Sequence, residues 1–206
     1  METHAKTISG SIVLALGAVL LAVVGSGVLG DTAPGAPDFV LQNALGLAAV
    51  VLLALGLVGV RRVLRDLAGG RLLIWGLVLV WIGLAALAGG HALAIGAEGV
   101  QGDAVQTAAV AAIPLTVGAH LIYPGTSLVG IALLRRRRSP IGLGVLLTIS
   151  LPLLLLGVPL GLAVGPGVLS DVVTWVATEG QLGAAWCAFA IVASLAARDV
   201  RRPVNA

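Results

Sequence analysis

The stretch "QNALGLAAVVLLALGLVGVRR", residues 42–62, decides the fold. From Ala44 to Val60 it carries no charged side chain, and it closes on Arg61 and Arg62. A helix of about 20 apolar residues crosses the hydrocarbon core of a bilayer, and terminal arginines mark where such a helix leaves it. The same design recurs on both sides. Runs without Asp, Glu, Lys or Arg cover 8–30, 39–60, 72–97, 104–134 and 141–170, and a sixth, 172–197, is broken only by Glu179. The first run is too long for the apolar region of a signal peptide and lacks a convincing small-residue cleavage site, so it is read as a retained helix.

Composition agrees. Of 206 residues 59% are hydrophobic and 10% charged, where soluble domains carry about 25% charged residues. Such a chain cannot cover a water-facing surface. Its one cysteine, Cys187, excludes an intrachain disulfide framework.

The charges then fix an orientation. With six spans, Lys6, Arg61, Arg62, Arg65, Arg71, Arg135, Arg136, Arg137, Arg138, Arg198, Arg201 and Arg202 all fall on one side. The loops of the other side hold Asp31, Asp38, Glu98, Asp103, Asp171 and Glu179, and no Lys or Arg. Five or seven spans would scatter the arginines. The positive-inside rule predicts both termini in the cytoplasm. The expected fold is an all-α integral membrane protein, one domain over 1–206, with six transmembrane helices as three antiparallel hairpins in the plasma membrane. The run Arg135–Arg138 abuts a helix end, so it reads as a topology anchor on anionic lipid headgroups, at about 1 kcal/mol per residue. Nucleic acid is not an expected partner.

The hairpins resemble one another weakly. Aligned on their terminal arginines, residues 42–62 lie over 179–199 without a gap, Leu45-Gly46 falls over Leu182-Gly183, and span four has His120 at the glycine position. Loops are short, so any chemistry belongs within the helices or at their mouths.

Lipid gives apolar helices no hydrophobic reason to associate, so small residues must supply close packing. Gly157, Gly161 and Gly165 recur every four residues in span five and predict such a stripe. Pro152, Pro159 and Pro166 recur every seven, leaving the carbonyls of Thr148, Leu155 and Leu162 without their usual donors and predicting kinks. Trp75 and Trp175 suit interfacial anchoring, whereas Trp81 and Trp186 lie deeper.

No Asp, Glu, Lys or Arg falls in mid-membrane, which argues against proton pumps and ion-coupled carriers. The candidate ligand-binding residues are therefore histidines, amides and one carboxylate. Counting from the cytoplasmic arginines, Gln42, Asn43, His91, Glu179 and Gln181 lie roughly 25–30 Å up and predict a polar vestibule at the outer edge. His120 lies roughly 22 Å up and Tyr123 roughly 18 Å. A buried Tyr123 needs a hydrogen-bond partner, with Ser150 and Thr148 at suitable height. Pro124 frees the carbonyl of His120, and Thr126 and Ser127 are expected to fold back on the preceding turn and ease that bend.

His91 and His120 differ in height by about 8 Å, which is unsuited to paired haem ligation. Zinc would need three or four ligands from a sparse set. No catalytic residue, metal or cofactor is expected. The leading expectation is a non-enzymatic accessory, scaffold or regulatory component in the lipid bilayer, docking another membrane protein or a second copy of itself. The alternative is a small uncoupled permease, or a binder of an apolar or weakly polar solute, entered from the outer vestibule.

Overall fold

Uncharged runs of this length leave the backbone no water to bond with, and the helix satisfies its polar groups within the segment itself. The computed structural model describes residues 2–28, 36–98 and 104–199. Among them every regular element is helical: α1 (Glu2–Gly25), α2 (Phe39–Leu67), α3 (Gly70–Glu98), α4 (Ala104–Arg136), α5 (Ile141–Thr148), α6 (Ser150–Val164), α7 (Val168–Trp175) and α8 (Gln181–Asp199). A π-turn, Val176–Gly180, joins α7 to α8. Five helical stretches are long and apolar enough to cross a membrane, and the bent pair α5–α6 makes a sixth when counted as one span. Asp31, Asp103, Arg201 and Arg202 lie outside the described residues, as do the last residues of the run 8–30.

Several helix ends differ from the expected ones. α2 runs on past Arg61 and Arg62 to Leu67. Arginine is a good helix former, and cations favour a helix C-terminus. A positive φ at Gly69 and at Gly70 then turns the chain directly into α3. The expected span 141–170 is not continuous. It breaks at Ile149, between α5 and α6, with a bend of 45°, and ends at Val164.

The break follows from Pro152, which has no N–H for the carbonyl of Thr148. That carbonyl instead accepts a hydrogen bond from the Ser127 hydroxyl of α4 at 2.8 Å. The Leu151 N–H donates to the same Ser127 oxygen at 2.9 Å. Ser127 thus splints the break and does not fold back on its own turn. Thr126 is likewise engaged elsewhere, its hydroxyl oxygen accepting from the Trp186 indole N–H at 3.2 Å. Pro159 lies inside α6. Pro166 lies beyond its end, so no helix is kinked there, and the Leu162 carbonyl accepts from the Gly165 N–H at 3.3 Å.

Glycine sets the packing, mostly in places other than the expected stripe. A Cβ on Gly10 would lie 2.6 Å from the Cα of Gly59, and one on Gly17 would lie 2.6 Å from the Leu53 nitrogen. These contacts pair α1 with α2 antiparallel and nearly backbone to backbone. Gly76 meets Gly125, Gly83 meets Gly118 and Gly90 meets Leu115, which pairs α3 with α4 in the same way. In the expected stripe, Gly157 seats Ala177 and Gly161 seats Thr174, but a Cβ on Gly165 would meet nothing within 4 Å. Gly165 is a left-handed cap at the end of α6, with φ of 84°.

The third pair is built differently. α6 packs on α7 and the π-turn, while α8 leans chiefly on α1. There the carbonyl of Ala18 sits 2.6 Å from where a Gly183 Cβ would be. Neighbours in sequence are thus neighbours in space, and the last described helix closes on the first. Within lies a core that includes Leu14, Leu53, Ile122, Leu147, Trp186 and Phe189. The last two rings meet edge to face at 5.9 Å. At one end of the bundle, Lys6, Arg61 and Arg62 border one depression, and the Arg136 guanidinium lies beside Gly69.

Candidate functional site

At the other end of the bundle is a cavity of about 890 Å³. It lies between the C-terminal end of α1, the second half of α3, the middle of α4, Leu162 of α6, Ser170 to Trp175 of α7 and the π-turn, with Gly46 of α2 and Leu182 of α8 completing the lining. Its polar lining residues include His91, Tyr123, Ser170, Asp171, Thr174, Trp175, Thr178 and Glu179, and its apolar ones include Leu21, Leu87, Leu115, Ile122, Leu162 and Leu182.

The π-turn explains how a carboxylate comes to face this space. Thr178 departs from helical geometry (φ −115°, ψ −109°), and its hydroxyl donates to the Thr174 carbonyl at 2.7 Å. It also contacts the Glu179 carboxylate. The extra residue of a π-turn redirects the side chains that follow it. Glu179 lies against Gly25 of α1, where any larger residue would collide with it. The Trp175 indole donates to the Ala22 carbonyl at 2.8 Å, tying the same segment to α1.

Tyr123 enters from α4. It is 2% exposed, and its phenol sits beside Thr178 and near Glu179. Ser150 and Thr148 are therefore not its partners. Thr148 donates to the Gly144 carbonyl of its own helix at 2.7 Å, and the Ser150 hydroxyl, buried at the break, has no protein partner.

His91 enters from α3, its ring packed on Gly46 of α2. Nδ1 lies 3.0 Å from Asn43 Oδ1, and Asn43 Nδ2 donates to the Phe39 carbonyl at 2.9 Å. That second bond orients the amide and assigns the proton to His91 Nδ1. In the neutral imidazole His91 Nε2 is then an acceptor.

The expected polar ring therefore divides. His91, Tyr123 and Glu179 share the cavity, and Asn43 stands behind His91. Gln42 is buried in α2 away from the lining. Gln181 is also elsewhere, donating to the Leu146 carbonyl of α5 at 2.7 Å. His120 lies outside this lining. It is exposed on the outer face of α4 in line with Ile113 and Val117, with Nδ1 donating to the Thr116 carbonyl at 2.8 Å. At 3.6 residues per turn, Ala119, Ile122, Tyr123 and Thr126 form the inward stripe and position 120 lies off it. Asp171, Thr174 and Thr178 were not anticipated. The one signal for them was a cluster of hydroxyls and carboxylates, Ser170 to Glu179, at the end of the run 141–170 and in the first turns of the run 172–197.

No protein-family model, no curated protein and no solved structure matches this chain.

Proposed function

We propose that this chain is a non-enzymatic six-span membrane protein, with both termini cytoplasmic, that admits a small solute from outside the cell. The observation that carries the reading is the cavity of about 890 Å³ at the arginine-free end of the bundle. Cavities of roughly 300–1,000 Å³ with an apolar wall and a few convergent polar groups are the usual form of small-molecule sites. The positive-inside rule turns that end away from the cytoplasm, which in a plasma membrane is outward. Binding alone and uncoupled passage are both compatible with such a mouth.

The reading is tested by Thr174→Cys in a Cys187→Ser background, using a membrane-impermeant methanethiosulfonate. Labelling in intact cells is expected. Labelling only in inverted vesicles, or none in either while the denatured protein reacts, would overturn it.

A second reading, a component that docks another membrane protein, is favoured by a lipid-facing groove of about 740 Å³ between α1 and the α7–α8 segment. A stoichiometric partner retained in mild detergent, and lost with Ala184→Leu in that groove, would support it.

A further inference from the structure

We infer that the solute is a monovalent organic cation with an apolar body. The inference rests on the cavity reading above and sharpens its chemistry.

The titratable groups lining the cavity come from four elements: His91 from α3, Tyr123 from α4, Asp171 from α7 and Glu179 from the π-turn. The lining residues of α1, α2, α6 and α8 are aliphatic, glycine or serine. Among the described residues, no Lys or Arg lines the cavity. Two carboxylates in a low-dielectric mouth focus a negative potential, which draws in cations and repels anions. The hydrogen-bonding groups point the same way. Asn43 holds the His91 proton on Nδ1 and leaves Nε2 accepting, and a carboxylate only accepts. Tyr123 and Trp175 also belong to the lining, and aromatic rings attract cations.

A bare metal ion fits poorly, since no group of three His, Cys, Asp or Glu among the described residues can hold one. The leucines and isoleucine of the same lining call for hydrocarbon instead. A charged head at Glu179 with an apolar body against Leu87, Leu115 and Ile122 matches both kinds of lining residue.

The experiment compares three probes of one shape on the full-length protein in nanodiscs: benzyltrimethylammonium, its neutral carbon isostere neopentylbenzene, and anionic benzylsulfonate. Binding is read by equilibrium dialysis against protein-free nanodiscs. Benzyltrimethylammonium is expected to bind saturably and to slow the labelling of the Thr174→Cys protein. The other two should bind weaker by on the order of tenfold or more. Glu179→Gln should weaken the cation by a similar factor, and the exposed Asp171→Asn by less.

Equal binding of the neutral or anionic probe, absence of saturable cation binding, or indifference of the cation to both substitutions would overturn the inference. If either variant fails to fold, the wild-type probe series decides alone. Outside labelling of Thr174→Cys without cation preference would sink the ligand class and leave the cavity reading standing. Absence of that labelling would remove the cavity reading itself.

Discussion

A single hydroxyl, that of Ser127, takes up what Pro152 leaves undone. It donates to the orphaned Thr148 carbonyl and accepts from the Leu151 N–H. Ser127→Ala should therefore cost about 1–2 kcal/mol, read as a lowered unfolding midpoint in detergent, with both backbone groups left unsatisfied at the break. His120→Leu should do almost nothing. It exchanges one lipid-facing side chain for another, so stability should stay within about 0.5 kcal/mol and benzyltrimethylammonium affinity should not change. Tyr123→Phe, by contrast, deletes the phenol beside Thr178 and should weaken that affinity measurably; equal behaviour of the two variants would contradict the assignment of faces. Residue chemistry was legible in the sequence, whereas orientation was not. His91, Tyr123 and Glu179 stood out as polar groups in apolar runs, and so did His120. The helices carrying them are apolar round their whole circumference, so periodicity does not reveal which side turns inward.

At the scale of the element, the bundle is held by glycines two turns apart. Gly10 and Gly17, Gly76, Gly83 and Gly90, and Gly118 and Gly125 each recur every seven residues and face a partner backbone. Neighbouring positions on α3 make a sharp test. A Cβ on Gly89 meets nothing within 4 Å, while one on Gly90 would lie 2.5 Å from Leu115 Cγ and 3.0 Å from its nitrogen. Gly89→Ala should be neutral or stabilising by up to about 1 kcal/mol through helix propensity. Gly90→Ala should destabilise, and Gly83→Leu should separate α3 from α4 and abolish a monodisperse elution profile in gel filtration. The spacing that supplies this packing was present in the sequence. The four-residue spacing of Gly157, Gly161 and Gly165 drew attention first, and its last member turned out to be a helix cap. The break at Ile149 was half legible. Pro152 announced the missing hydrogen bond, but whether a helix bends or parts there depends on Ser127 being opposite, a tertiary fact.

The whole molecule has two unlike ends, one ringed with exposed arginines and one opening into a carboxylate-lined cavity. Reporter insertions should read this polarity directly. A fluorescent protein placed in the Arg137–Pro140 turn should fluoresce, as cytoplasmic insertions do, and alkaline phosphatase placed in the Gly165–Gly167 turn should be active. The reverse pattern would refute the orientation proposed from the charges. Charge placement made this polarity readable from the sequence alone, because a water-seeking arginine cannot be hidden in lipid. Ring closure was not readable, since nothing in an apolar run names its neighbour. That closure has a consequence for biosynthesis. Leu14 and Ala18 of α1 are fully buried, yet the surface α1 offers to Gly183 has no cover until α8 has emerged from the ribosome. A nascent chain stalled before that point is an open palisade whose founding helix still has a bare flank, and that flank is what sets it apart from the finished protein.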